Sequence, residues 1–279
     1  MTACASVSAR PTHAADLFVV LNGIRLRFRD EGRGSAVLLV HGWTLDLEMW
    51  DPLVSALRDR FRLIRLDRRG HGLSRGMPAP ARDSEDLAAL CKHLGLTRVA
   101  LLGMSQGVRA VLGFACTAPE QVHAVILDGP PPLNSESDPE VPLDQYVALV
   151  QTQGIEAFRR EWARHALMQL RTQNPEVRGL LAAMIARYPG NDLNQPASRS
   201  ELASTRLGLE SLRVPALVLS GEYDLPARRQ AARQLAALLP DAELAVIPAA
   251  GHLPNLDNPN AYSRLCREFL THHCPNDAL

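Results

Sequence analysis

The 279-residue chain has a single lysine, Lys92, among its 30 basic residues, so its positive charge is almost wholly arginine, a bias of coding more than of chemistry. It also lacks an excess of either charge, since 30 acidic residues balance the basic ones. A neutral chain has no long-range field to draw it onto nucleic acid or an anionic membrane, and neither partner is expected. The basic cluster from Arg58 to Arg69 is the local exception, read as a solvated strand flank with Arg–Asp pairing. Cysteine is scarce. The five residues Cys4, Cys91, Cys116, Cys266 and Cys274 contain no C-x-x-C pair, which argues against a disulfide framework or a thiolate metal site and fits a reducing cytoplasm. No apolar run is long enough to span a bilayer, and the opening MTACASVSARPTHAAD lacks the continuous apolar stretch of a secretory leader. Residues 1–14 are expected to form a flexible tail. No H-E-x-x-H or comparable ligand cluster occurs, so neither metal nor other cofactor is expected. Gly32-x-Gly34 and Gly70-x-Gly72 look like fragments of a dinucleotide loop, yet neither leads directly into a helix as phosphate binding requires.

What is present is a near-average balance of 46% hydrophobic and 22% charged residues, enough for one large core. Phe18–Leu21 and Ile24–Phe28 flank Asn22-Gly23, a tight-hairpin signal. Short apolar runs at 36–40, 61–66, 99–102, 122–127, 216–219 and 244–247 read as buried strands. Helical periodicity fills 51–57, 84–94, 226–239 and 258–270 between them. Strand and helix in alternation imply a mostly parallel sheet covered on both faces. The alternation breaks once. From 134 to 209 no strand pattern appears, while Ile155, Phe158, Trp162 and Ala166 share one helical face and Val177, Leu180, Leu181, Met184, Ile185 and Tyr188 another. Open parallel sheets bind ligands at the carboxyl ends of their strands, where this insertion emerges, so it is expected to be a helical cap over the site. The core then comprises 15–133 and 210–279.

The stretch LLGMSQGVRA sets Ser105 between Gly103 and Gly107 where a buried strand turns into a helix. Such a turn strains its middle residue and exposes the hydroxyl, which suits a nucleophile. A serine hydroxyl needs a base, and the base needs a group to fix its tautomer. Asp224 in LSGEYDLP and His252 in IPAAGHLPNLDNP each follow a strand, so both can meet Ser105 at one edge of the sheet. Asp128 in VILDGPPP and Glu222 are rival acids. The turn at Asp128 reads as launching the cap. His41 and His71 are rival bases, and His93, His123 and His165 are read as surface or satisfied interior positions.

These motifs resemble the α/β-hydrolase family from about residue 17 to 269: the elbow Gly-Met-Ser-Gln-Gly at 103–107, the loop HGWTLDLEMW at 41–50, the turn DRRGHGLS at 67–74, and the ordered Ser, Asp, His. The resemblance implies a mostly parallel sheet of about eight strands with helices on both faces and an inserted cap. It further implies Ser105, Asp224 and His252 as the catalytic residues, with the backbone N–H groups of Trp43 and Gln106 as the oxyanion hole and His41 and His71 as structural turn residues. Serine at the elbow argues against dehalogenases and epoxide hydrolases, which use aspartate there. The His-Gly-Trp start is similar to that of cofactor-free haloperoxidase-type esterases, although Thr44 stands where they usually carry proline and Gln106-Gly107-Val108 where Met-Gly-Gly is usual. The expected activity is hydrolysis of a small ester or lactone through an acyl-enzyme. Alternatives are a carbon–carbon bond hydrolase, an acyltransferase or perhydrolase, and a binding protein without turnover. Trp43, Tyr223, Leu253 and the apolar cap faces suggest a small, mostly apolar acyl or alkyl group.

Overall fold

The computed structural model describes residues 14–132, 138–194 and 208–274, so most of the expected tail and residues 134–137 and 195–207 of the expected cap lie outside the described residues. Asn22 and Gly23 both take positive φ, 48° and 77°, as a two-residue hairpin between right-twisted strands requires. They join β1 (Leu17–Leu21) to β2 (Ile24–Gly32). The chain then alternates through β3 (Ala36–Val40), α1 (Asp51–Leu57), β4 (Arg62–Leu66), α2 (Asp83–His93), β5 (Val99–Met104), α3 (Gln106–Thr117) and β6 (Val122–Asp128). Four helices follow without a strand among the described residues: α4 (Leu143–Gln153), α5 (Ile155–Trp162), α6 (Pro175–Arg187) and α7 (Asn191–Asn194). The alternation resumes with β7 (Ala216–Gly221), α8 (Pro226–Leu238), β8 (Ala242–Ile247), α9 (Pro254–Asp257) and α10 (Pro259–His273).

The eight strands form one sheet in the order β1-β2-β4-β3-β5-β6-β7-β8. Only the β1–β2 and β2–β4 pairs are antiparallel, and β4 through β8 run parallel. Side chains alternate across it into two cores. Val37, Leu39, Ala100, Leu102, Ile126 and Leu219 meet α1, α10 and the α4–α7 segment on one face. Leu38, Val40, Leu101, Val125, Leu127 and Val218 meet α2, α3 and α8 on the other. Each fully buried branched side chain contributes about 1.5–3 kcal/mol, which is why central strands that are apolar on both faces hold the sheet.

Three sequence expectations need correction. β8 is an edge strand, with Leu244 and Val246 42% and 57% exposed. It has a neighbour on one side only, and although α8 packs against it, these two side chains stay open to solvent. The basic cluster is paired as expected but partly buried, with Arg65, Arg68 and Arg69 only 0, 3 and 5% exposed. Arg65 pairs with Glu31, Arg68 with Asp83 and Arg69 with Asp86, and such cancellation is what lets a charge leave water. Ala166 lies beyond α5, in a 3-10 turn begun by His165, whose Nδ1 accepts the Leu167 N–H at 3.2 Å.

Among the described residues no helix is long and apolar enough to cross a membrane. No group of three or more His, Cys, Asp or Glu among them could hold a metal ion.

Candidate active site

β3, β5, β6, β7 and β8 are parallel, so the residues that follow them gather at one edge of the sheet. Ser105 follows β5 directly and takes φ 51°, ψ −117° at the start of α3. Outside glycine this backbone conformation is strained, and it persists because its surroundings over-determine it. The Ser105 N–H donates to the Asp128 carbonyl at 2.8 Å, and its own carbonyl accepts the Val108 N–H at 2.9 Å. The flanking glycines allow the turn to close. A Cβ on Gly107 would lie 2.4 Å from the Val40 carbonyl oxygen, and one on Gly103 would lie 2.5 Å from that of Gly107.

His252 reaches the site from the loop after edge strand β8. That loop folds back over the end of β7, where the Tyr223 N–H donates to the Ala250 carbonyl at 2.8 Å. Glu222 serves this fold, since its Oε2 accepts the Ala249 N–H at 2.8 Å. Asp224 and His252 are then both buried, 4% and 3% exposed, with His252 Nδ1 3.0 Å from Asp224 Oδ2. The other Asp224 oxygen accepts the Leu225 N–H at 2.7 Å, which fixes the carboxylate plane. Asp128 faces elsewhere. Its Oδ2 accepts the Tyr262 hydroxyl at 3.1 Å, its Oδ1 has no partner, and burial pushes its pKa well up, the nearby Asp224 adding to the rise.

Gly129, which the sequence did not single out, lies against this pair. A Cβ there would sit 3.1 Å from His252 Cε1 and 3.2 Å from Nδ1, and φ is +53°. Alanine in this region costs roughly 1–2 kcal/mol and would press on the imidazole. Gly129→Ala is therefore expected to lower both Tm and kcat, measured by thermal denaturation and ester turnover. A variant with wild-type kcat would show that the contact does not set the ring's position.

Ser105, His252, Trp43 and Gln106 line one cavity of about 500 Å³. That volume suits a small molecule. The α4–α7 segment also lines the cavity, through residues that include Val147, Trp162 and Met168. Trp43 reaches the cavity as expected, whereas Tyr223 and Leu253 are not among its lining residues. Tyr223 is half exposed, its ring under the Arg171 guanidinium, and Leu253 is packed into the core. Gln106 is the first residue of α3, and amides at that position have no partner within the helix.

The other histidines divide. His41 Nε2 accepts the Arg68 N–H at 2.9 Å and its Nδ1 lies 2.7 Å from the Gly42 carbonyl, so neither nitrogen is left for a substrate proton. Burial, then His71 and Arg68, holds its pKa well below the usual value. His71 lines the cavity, and burial with the Arg68 guanidinium lowers it to about 4, against the pull of Asp192. It is neutral at pH 7. His165 stacks on Trp162 with ring centroids 4.7 Å apart.

A family profile described as the alpha/beta hydrolase fold matches residues 35–259. The chain belongs to the α/β-hydrolase family. Its relatives include the 2-(acetamidomethylene)succinate hydrolase of Mesorhizobium japonicum, 30% identical over 267 residues, covering 90% of this chain and 94% of that one. The pimeloyl-[acyl-carrier protein] methyl ester esterase of Pectobacterium atrosepticum is 30% identical over 247 residues, with coverage of 85% and 95%. Among solved structures, an esterase from Thermogutta terrifontis superposes with a TM-score of 0.79 at 29% identity, covering 94% of this chain and 100% of that one. Thr44 takes φ +64°, which a proline, locked near about −65°, could not adopt.

Proposed function

We propose that the protein is a serine hydrolase that cleaves a small carboxylic ester or lactone through an acyl-enzyme on Ser105. The observation that carries this reading is a strained serine at a strand-to-helix elbow, lining the same cavity as a histidine whose Nδ1 lies 3.0 Å from a buried carboxylate. In the reading, Ser105 Oγ attacks the carbonyl carbon while His252 Nε2 takes the hydroxyl proton. Asp224 accepts the Nδ1–H, so the lone pair faces the serine, and it stabilises the imidazolium that forms. The amides of Trp43 and Gln106 hold the developing oxyanion, an effect worth roughly 3–4 kcal/mol per donor in mutational precedent. His252 returns the proton to the leaving alkoxide, whose departure leaves the acyl group on Ser105. Water, deprotonated by the same histidine, then attacks the acyl carbon and frees the acid and the serine. Relatives named as an esterase and a methyl ester esterase support the bond type.

In the same reading, the α4–α7 segment is a cap that sets acyl-chain preference. Val147 on α4 lines the cavity and is half-buried, so enlarging it shortens the space for the acyl chain. With p-nitrophenyl esters of increasing length, Val147→Phe is expected to lower kcat/KM for the longer chains about tenfold or more relative to acetate, with little change in Tm. A uniform loss across the series matched by lost stability would mean that the segment only packs. The function itself is tested by assaying purified protein on that series, aryl esters and lactones, with and without an added alcohol. Acid release from at least one class supports the reading. Product formed only with the added alcohol would make the enzyme an acyltransferase, and no turnover on any class would overturn it.

A further inference from the structure

The loop after β3 is tied to the α4–α7 segment by side chains from three helices. Trp43 Nε1 donates to Asp192 Oδ2 of α7, Trp162 Nε1 of α5 donates to Thr44 Oγ1, and Arg187 Nη2 of α6 donates to Asp46 Oδ2, each at 2.7 Å. The three ties are not equivalent. Arg187 is 37% exposed, so water competes for it. Asp192 also accepts the Tyr188 hydroxyl, so the Trp43 tie is shared. Thr44 and Trp162 are 1% and 2% exposed, and their bond has no water to replace it. Thr44 is moreover a β-branched residue at φ +64°, a conformation such residues leave unless their surroundings hold them.

We infer that Thr44 is a positioning residue: the Trp162 indole N–H holds its hydroxyl, and with it the adjoining backbone that carries the Trp43 amide. This deepens the proposed function and rests on its assignment of that amide as an oxyanion donor. Such a donor helps only where it is already aimed at the position the oxyanion will occupy. Trp43, one residue earlier, packs its ring edge-on against Trp162 with centroids 4.9 Å apart, so α5 grips two consecutive residues of the loop. The helical segment therefore does more than line the cavity. It supports the part of the core that meets the transition state, so its effect falls on kcat as well as on substrate choice.

The test uses Thr44→Val, which keeps the shape and removes the acceptor, Trp162→Phe, which removes the donor, the double variant, and Thr44→Ser, which keeps the hydroxyl. Turnover of p-nitrophenyl acetate is expressed per active site, counted by titration, so that a misfolded fraction does not count. Removing an oxyanion donor outright costs 10²- to 10³-fold, so displacing one should lower kcat about tenfold in Thr44→Val and in Trp162→Phe, with KM within about twofold in Thr44→Val, whose side chain does not line the cavity. The double variant should be no worse than either single one, because both remove the same bond. Thr44→Ser should keep kcat within about twofold of wild type. Wild-type kcat in Thr44→Val, additive losses in the double variant, or equal damage from Thr44→Ser would each overturn the inference. Should Thr44→Val fail to fold, Trp162→Phe alone decides, by a kcat loss or its absence. Ser105→Ala separates the two levels. If it retains turnover, the acyl-enzyme reading fails; if it is inactive while Thr44→Val matches wild type, only the positioning role fails.

Discussion

Ser105→Ala is expected to lower kcat for ester hydrolysis by about 10⁶-fold and to abolish labelling by a fluorophosphonate, as in serine-protease precedent. The elbow presents one hydroxyl, on a residue whose backbone is held at φ 51°, ψ −117° by the Asp128 carbonyl and the close-packed Gly103 and Gly107. Alanine accepts the same backbone shape as serine without the nucleophile, so the fold should be unchanged. His252→Ala should be nearly as damaging, and the double variant little worse than either single one, because the two side chains act as one unit. Retained labelling in Ser105→Ala, followed by stopped assays and mass analysis, would place the nucleophile elsewhere.

The second large effect separates two buried aspartates at neighbouring strand ends. Asp224→Asn is expected to lower kcat about 10⁴-fold with the fold intact, because an amide keeps the shape but favours the wrong imidazole tautomer. Asp128→Asn should leave kcat within about tenfold of wild type, since the Asp128 carboxyl is bonded by the Tyr262 hydroxyl while the His252 ring is bonded by Asp224. The two variants also differ in stability. The Asp128 pKa is raised in the folded protein, first by burial and then by Asp224, against the Tyr262 hydrogen bond. Its contribution to stability is therefore complete below the unfolded value of about 4 and is lost as pH rises toward the folded one. Asparagine is neutral throughout, so Asp128→Asn should be more stable than the parent at pH 7, and the gap should widen upward from about pH 4. Thermal denaturation across pH together with kcat reads both effects. If Asp128→Asn loses more activity than Asp224→Asn while remaining folded, the acid follows β6 and not β7.

The central sheet was legible because parallel strands buried on both faces are continuous apolar runs. Val37–Val40 and Val99–Leu102 needed no tertiary information to be read. The nucleophile, base and acid candidates were legible for a related reason: each sits just after such a run, and parallel strands bring their carboxyl ends together. What stayed hidden depends on contacts between distant segments. α4 buries only Tyr146 and Val150, too thin a stripe to stand out as a helix. The outward face of β8 reads like its inward one, because exposure at a sheet edge is set by what covers it. Gly129 looks like any glycine before prolines until His252 arrives from β8 to fill the space above it. The Trp162–Thr44 bond joins residues 118 apart, and although Thr44 lies in the loop HGWTLDLEMW, nothing in that loop points to a partner on α5. Asp192, between a tryptophan and a tyrosine that are remote or only one turn away, had no signal at all.

A covalent acyl-enzyme on Ser105 can be trapped with a p-nitrophenyl carbamate, because carbamoyl-enzymes hydrolyse slowly enough to isolate. Protein is incubated with the carbamate, released p-nitrophenolate is counted, residual ester turnover is measured, and the modified fragment is sequenced by mass spectrometry. The acyl-enzyme mechanism requires a single equivalent of p-nitrophenolate per active site, a matching loss of turnover, and the carbamoyl group on Ser105. Ester turnover that continues undiminished after the carbamate has reacted, or inactivation with the carbamoyl group on any other residue, would contradict it.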